Sequence, residues 1–337
     1  MNGPHPTTVL GSGIAATACA LFTARSGPVL LVGTPSPRWP TAIESVPAAT
    51  LTLLLELGVV PREIDVARLL HRRSVAWGDP APADHDGPAC AHLDRGALLS
   101  ALWRRVRAEP RITVAPRASG RPTAPSRLVD ATGTRASTAV TVARRPGAWT
   151  ASTLTFARGD AEPELRLAAA PDGYGYRLGS ARLLTLGWVS SAPPRTGPAL
   201  WQRIETAAPW LLADLPEPPQ ESTHRRPAGL AVPVAAPGTV PIGDAALTRD
   251  ALASQGTAIA LSDACLAADP RMSDAELAAR RAEARDRHVR HLTDVLAACR
   301  HAHQPAWASY RDWLVDYPVG VGRQRIPRSS KPHTALA

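Results

Sequence analysis

The stretch TVLGSGIAATACALFTARSGPVLLVG, residues 8–33, decides how the rest of the chain is read. Thr8–Leu10 and Val29–Val32 are short aliphatic runs, Gly11-Ser12-Gly13 is a turn, and Ile14–Ala24 is an apolar stretch of helical length. Strand, glycine turn, helix and strand in that order begin a dinucleotide-binding βαβ unit, with GxGxxA at Gly11, Gly13 and Ala16. Gly11 permits the tight turn, Gly13 removes a side chain where a diphosphate approaches, and Ala16 lets the helix lie close on the sheet. The free N–H groups of this turn and helix start, among Ser12 to Ala15, face the diphosphate. One element of the pattern is missing. An acid should close the second strand to hold the ribose hydroxyls, but this strand ends in Val32-Gly33 and the next carboxylate is Glu44.

A chain of 337 residues can bury a large core as one domain or two. No apolar run is long enough to span a bilayer. The patch Val9–Phe22 has no basic residue before it and carries two glycines, so it does not read as a signal peptide, and the cytoplasm is the expected location. The net charge is +9, yet the 38 basic residues include a single lysine, Lys331. The arginines are spread out and interleaved with acids, as in Arg280–Arg287, the pattern of a solvated helix face rather than of a nucleic-acid surface. Four cysteines form no CxxC pair and read as reduced thiols. Cys299-Arg300-His301-Ala302-His303, with Cys90-Ala91-His92, invites a metal; residues two apart on a helix point to different sides, so no metal is expected.

Ile43-Glu44-Ser45-Val46-Pro47 precedes an apolar helix, Leu51–Leu57, so Glu44 and Ser45 read either as caps or as site residues. Pro80–Pro88 reads as a polar loop. His92-Leu93-Asp94-Arg95 opens a helix in which Asp94 is the N-cap and Arg95 reaches toward a phosphate or ribose. Arg127–Gly133 is a buried strand ending in a turn. Ser152–Ala157, Glu164–Ala168, Tyr174–Leu178 and Arg182–Val189 suggest an antiparallel sheet roofing the first domain. Tyr174, Tyr176 and Trp188 read either as cavity lining or as cross-strand aromatics. The chain then returns through the strand Thr239–Ile242, the turn Gly243-Asp244, and Gln255-Gly256-Thr257, which leads into a helix to Ala268 and aims a second helix start at the same site. Trp307, Tyr310 and Trp313 fall at three-residue spacing on a helix and read as packing.

The series GxGxxA, Glu-Ser-x-Pro, Leu-Asp-Arg, Asp-Ala-Thr-Gly, and Gly-Asp-Ala-Ala with Ser-Gln-Gly resembles FAD-dependent oxidoreductases of the p-hydroxybenzoate hydroxylase fold. Within that group it looks most like the branch of tryptophan halogenases and LodB-like flavoproteins. Ala76-Trp77-Gly78, His92–Arg95 and Gly173-Tyr174-Gly175-Tyr176 fit the LodB-like side, which adds Trp77 to Tyr174 and Tyr176 as substrate-binding candidates. The fold implied is α/β: a Rossmann-like FAD-binding domain with a parallel sheet, an antiparallel substrate domain and C-terminal helices. The organisation expected is 1–145 as FAD-binding domain, 146–234 as substrate domain, 235–270 as FAD-binding return segment, 271–322 as C-terminal helices and 323–337 as a disordered basic tail.

The resemblance implies that Gly11, Gly13 and Ala16 hold the FAD diphosphate and Arg95 contacts the cofactor near ribose and phosphates. Gly243 and Asp244 would bind the ribityl chain and diphosphate, with Ser45 and Gln255-Gly256-Thr257 against the isoalloxazine. It implies an FAD-dependent monooxygenase that hydroxylates an aromatic small molecule, or a peptide- or carrier-bound ring, through a flavin C4a-hydroperoxide. Glu44 is the candidate group at the reacting centre. Halogenases of this branch need a lysine beside the substrate tunnel, and Lys331 lies in the tail, so halogenation is disfavoured. The middle Asp-Gly motif of single-component hydroxylases is missing, so electrons would come from a separate flavin reductase or from NAD(P)H bound differently. Two other readings stay open: an FAD-dependent reductase or dehydrogenase of the geranylgeranyl-reductase kind, and a flavin-free binding or assembly protein on the same fold.

Overall fold

The opening βαβ unit forms where the sequence predicts it: β1 (Thr7–Leu10), α1 (Ile14–Ala24) and β2 (Val29–Val32). These belong to a computed structural model that describes residues 7–37, 39, 41–116, 127–144, 149–215, 224–228 and 231–316. The expected disordered tail, 323–337, lies outside the described residues.

β3 (Ile43–Pro47), α2 (Thr50–Glu56), β4 (Leu69–Ala76), β5 (Ala83–Asp94), α3 (Arg95–Ala108), β6 (Ile112–Ala115) and β7 (Arg127–Asp130) follow. The parallel sheet is completed much later by β15 (Thr239–Pro241), in the order β15-β7-β1-β2-β6 with every pair parallel. The chain builds outward from β1 through β2 to β6, then returns to the other side of β1 as β7. That reversal opens a crevice at the carboxyl ends of β1 and β7, where open α/β sheets bind ligands. Behind it α1, α3 and α5 (Gly256–Ala268) bury Ala16, Ala18, Leu98, Leu102, Leu261 and Ala264 against Val9, Leu31 and Val129.

β8 (Ala139–Arg144), β9 (Thr150–Ala157), β10 (Glu164–Ala170), β11 (Gly173–Gly179), β12 (Leu183–Ser190), α4 (Gly197–Ala207), β13 (His224–Pro227) and β14 (Ala231–Ala235) lie between β7 and β15. The second sheet runs β13-β9-β12-β11-β10-β4-β5-β3, while β14 pairs with β8. All its pairs are antiparallel except β10 with β4. The roof is therefore a mixed sheet, and it takes β3, β4 and β5 from the sequence before residue 95.

Two local readings are corrected. Ala83–Pro88 is not a loop but the start of β5, because β4 offers partners along its length: Ser74 pairs with Asp84 and its hydroxyl donates to that carboxylate, and Arg72 pairs with Asp86. Tertiary pairing overrides the weak strand propensity of Asp, Gly and Pro. Glu44 and Ser45 are not helix caps; they sit in β3 opposite Leu93 and His92, and α2 begins at Thr50 without a side-chain cap. The helix expected from His92 starts at Arg95, with the Asp94 carboxylate accepting from Gly96 N at 2.8 Å as the N-cap.

α6 (Asp274–Ala297) and α7 (Pro305–Asp316) cover the outer end of the roof. Trp77, Trp149, Tyr174, Trp307 and Tyr310 meet there at ring-centroid distances of 4.8–6.1 Å. Trp307 Nε1 donates to Ala170 O, so each ring is held by packing and several by a polar tip. No helix among the described residues is long and apolar enough to cross a membrane.

Candidate active site

Gly11 leaves β1 at φ +129°, and a Cβ there would lie 2.8 Å from the Ala131 carbonyl carbon. Gly33, directly after β2, is as constrained: its Cβ would lie 2.8 Å from the Gly11 carbonyl carbon. Three strand ends thus converge, and no side chain fits between them. The position after β2, where the ribose acid of the pattern is missing, is a glycine packed directly on the Gly11 backbone. Gly13 differs: nothing lies within 4 Å of its would-be Cβ, so its open side faces the crevice in front of the α1 amides.

The crevice widens into a cleft of 1710 Å³ between the two sheets. Ligand pockets for single small molecules run to about 1,000 Å³, so this cleft has room for more than one. Its wall includes Gly11, Ser12, Gly13 and Ala15 of the first turn, Glu44 and Ser45 of β3, Arg95, Asp244, and Gln255, Gly256 and Thr257. Residues up to 246 positions apart in sequence therefore face one space. Ala16 does not line it; the methyl is buried behind Gly11, 3.2 Å from where a Gly11 Cβ would stand. Gly243, at φ +56°, lets the return turn close on Ala15, with a would-be Cβ 3.2 Å from the Ala15 methyl.

Glu44 joins two sides of the cleft. Arg95 Nη1 donates to Glu44 Oε1 at 2.8 Å, and Thr257 Oγ1 donates to Oε2 at 3.3 Å. One carboxylate thus fixes the guanidinium at the start of α3 against the first turn of α5. The start of α5 points at the cleft with its first N–H groups, and nothing lies within 4 Å of a would-be Gly256 Cβ. On the opposite lip, the Asp130 carboxylate accepts from the N–H and the hydroxyl of both Thr132 and Thr138 at 2.6–2.9 Å. Asp-Ala-Thr-Gly is thus the clamp that shapes the β7 exit, a role the sequence reading did not assign.

Trp77, Tyr174 and Tyr176 border the cleft and are at the same time roof core, each under a tenth exposed. Trp77 Nε1 donates to Val295 O at 2.8 Å, and the Tyr174 hydroxyl donates to Asp250 at 3.5 Å. Both halves of the alternative hold for Tyr174 and Tyr176; Trp188 is buried on the α4 side and does not line the cleft.

Arg249, Asp250 and His288 of the cleft wall escaped the sequence reading. Asp250 takes hydrogen bonds from Tyr310 and Leu252 as well as Tyr174, and its N–H donates to His288 Nε2 at 3.4 Å. Burial, reinforced by the charges of Arg249 and His291, pushes the His288 imidazole down to about 3, so it is neutral. Burial also lowers Arg249, whose Nη1 donates to Gln255 Oε1 at 2.8 Å. Below the cleft, Asp263 accepts from Gly243 N; burial raises its carboxyl against the opposing pull of Arg281. Among the described residues no three potential metal ligands cluster.

No protein-family model matches the chain, and no curated protein matches it by sequence. Solved structures do match its fold. Peptidyl tryptophan dihydroxylase QhpG, essential for tryptophylquinone cofactor biogenesis, aligns with a TM-score of 0.71 at 20% identity over 92% of this chain and 79% of its own. The myxobacterial chondrochloren halogenase CndH, described as a variant of FAD-dependent halogenases, aligns with a TM-score of 0.74 at 18% identity over 91% and 86%. PqsL of Pseudomonas aeruginosa, a probable FAD-dependent monooxygenase, aligns at 0.69 and 16% over 93% and 100%. The chain has the fold of these proteins, as the resemblance implied.

Proposed function

From that shared fold and the shape of the cleft, we propose that the chain is an FAD-dependent monooxygenase that hydroxylates an aromatic substrate, free or carried on a peptide or carrier. The observation that carries the reading is the pair of helix starts, α1 behind Gly13 and α5 behind Gln255, opening on one cleft too large for a dinucleotide alone. The neighbours' descriptions as dihydroxylase, FAD-dependent halogenase and monooxygenase support it.

The residues fit FAD. Gly11 and Gly33 leave backbone alone at the strand ends, Gly13 leaves the α1 amides open to a diphosphate, and Asp244 stands in the wall where a ribityl chain would pass. Arg95, aimed by Glu44, supplies positive charge near the phosphates, and the Thr257 hydroxyl ties that pair to the α5 start against the ring. Ser45 and Gln255 flank the same place. When bound and reduced, by NAD(P)H or by a separate flavin reductase, FAD supplies the activation of dioxygen. The protein's part is positional: the roof covers one side of the cleft, Trp77, Tyr174 and Tyr176 line it, and Glu44 is the carboxylate at hand for a proton at the reacting ring.

The test is the visible spectrum of the purified protein with and without added FAD, followed by oxygen uptake with reduced FAD and aromatic candidates. Two flavin bands near stoichiometric occupancy and product-linked oxygen uptake are expected. Flavin without oxygen uptake would favour a reductase, and a protein that takes up no FAD would leave a binding or assembly role.

A further inference from the structure

Arg249 is a buried cation that no carboxylate among the described residues touches, although Asp263 and Asp244 favour its charge from beyond contact. Burial works against that charge, and its one hydrogen bond goes to the neutral Gln255. The adjacent Asp250 is already committed to two tyrosine hydroxyls and an N–H. Arg249 Nε is buried with no hydrogen-bond partner. His288 stands next to it, 4% exposed, with Nε2 accepting from Asp250 N. Its proton therefore sits on Nδ1, and that buried donor too has no partner. Both side chains line the cleft. A desolvated guanidinium and an orphaned buried donor each cost free energy unless something satisfies them.

We propose that Arg249 and His288 form an anion subsite that holds the carboxylate of an aromatic acid substrate, the acid taking hydrogen bonds from the guanidinium and from His288 Nδ1–H. This inference rests on the aromatic-substrate reading above and narrows it to acids. Arg249 reaches the cofactor side through Gln255, and His288 favours the substrate: it is on α6, whose Val289, Leu292 and Leu296 pack with Trp77, Trp149 and Tyr174 of the roof, away from the Gly11–Gly13 turn. Gln255 orients the guanidinium from the other side and carries no charge to compete with the ligand. A neutral His288 donates to a carboxylate without adding a second charge that would demand its own partner.

The probes are benzoate, phenylacetate and indole-3-acetate, each compared with its uncharged amide by isothermal titration calorimetry on the full chain, with and without FAD. At least one acid is expected to bind about tenfold or more tighter than its amide, the range of one or two charge-assisted hydrogen bonds. Arg249→Gln should erase that preference while leaving FAD uptake by absorbance unchanged, and Arg249→Lys should keep part of it. Wild-type protein that binds acid and amide equally, or binds neither, overturns the proposal, and this arm stands even if a variant fails to fold. Loss of FAD uptake in Arg249→Gln with the acid preference intact also overturns it and gives the guanidinium to the cofactor. Because the titrations run without FAD too, a chain that takes up no flavin still decides whether Arg249 holds an acid.

Discussion

Gly13 and Gly33 flank the same turn region, yet substituting each by alanine is expected to do opposite things. At Gly33 the added methyl would stand 2.8 Å from the Gly11 carbonyl carbon, a separation real Cβ atoms do not show, and the obstacle is backbone held by β1. Overpacking of this kind costs about 1–3 kcal/mol or more, and in a chain this size each kcal/mol lowers Tm by roughly 1–2 °C. At Gly13 the methyl meets nothing within 4 Å, and the backbone at φ −84° suits alanine, so stability should hold or rise by up to about 1 kcal/mol. The methyl would instead occupy the approach to the α1 amides. Losing one or two charge-assisted hydrogen bonds there weakens FAD binding by roughly 10- to 150-fold. Urea melts of the flavin-free protein give the first quantity, and FAD titration followed by flavin fluorescence gives the second. Gly13→Ala destabilising the apoprotein as much as Gly33→Ala, or binding FAD as wild type does, would refute the assignment of one glycine to the fold and the other to the ligand.

Glu44→Gln removes the anion that Arg95 and Thr257 share, and is expected to raise the FAD Kd about tenfold and to slow turnover; unchanged FAD affinity together with unchanged turnover would take Glu44 out of the site. His288 is neutral in the folded state down to about pH 3 but takes a proton near 6.5 when unfolded, so stability should fall as pH drops from 6.5 toward 3. The lowered His92 adds to the loss in the same direction. The His288 part is roughly 3–5 kcal/mol, and urea melts of His288→Asn across that window should show a shallower slope; an identical slope would contradict the burial that sets it. Trp307→Ala deletes a ring that is 0% exposed and wedged between Trp77 and Trp149, with a cost of about 3–5 kcal/mol in the same melts.

What was legible in the sequence divides along physical lines. Glycines under steric duress announce themselves, so the turn at Gly11-Ser12-Gly13, the helix behind it and the return through Gly243 and Gln255-Gly256-Thr257 could be placed from the residues alone. The glycine after β2 belongs to the same local set, packed on the Gly11 backbone. Pairing between distant strands left no such mark. Pro80–Pro88 looks like a loop by composition, yet from Ala83 it is a strand because β4 flanks it, and the pairing of its far end with β3 turns Glu44 from a cap candidate into the group that grips Arg95. Arg249 was invisible for a related reason. In a chain whose basic residues are almost all arginine, one more carries no signal, and what sets it apart is a buried Nε with no hydrogen-bond partner among the described residues. Sequence motifs report backbone constraints well because those constraints are local, whereas an unbalanced charge is defined by everything folded around it. For that reason the part of the cleft wall near Gly11 and Gly256 could be read from residues 8–33 and 243–257, while the part proposed to take an acid depends on His288, 39 positions beyond the arginine it accompanies.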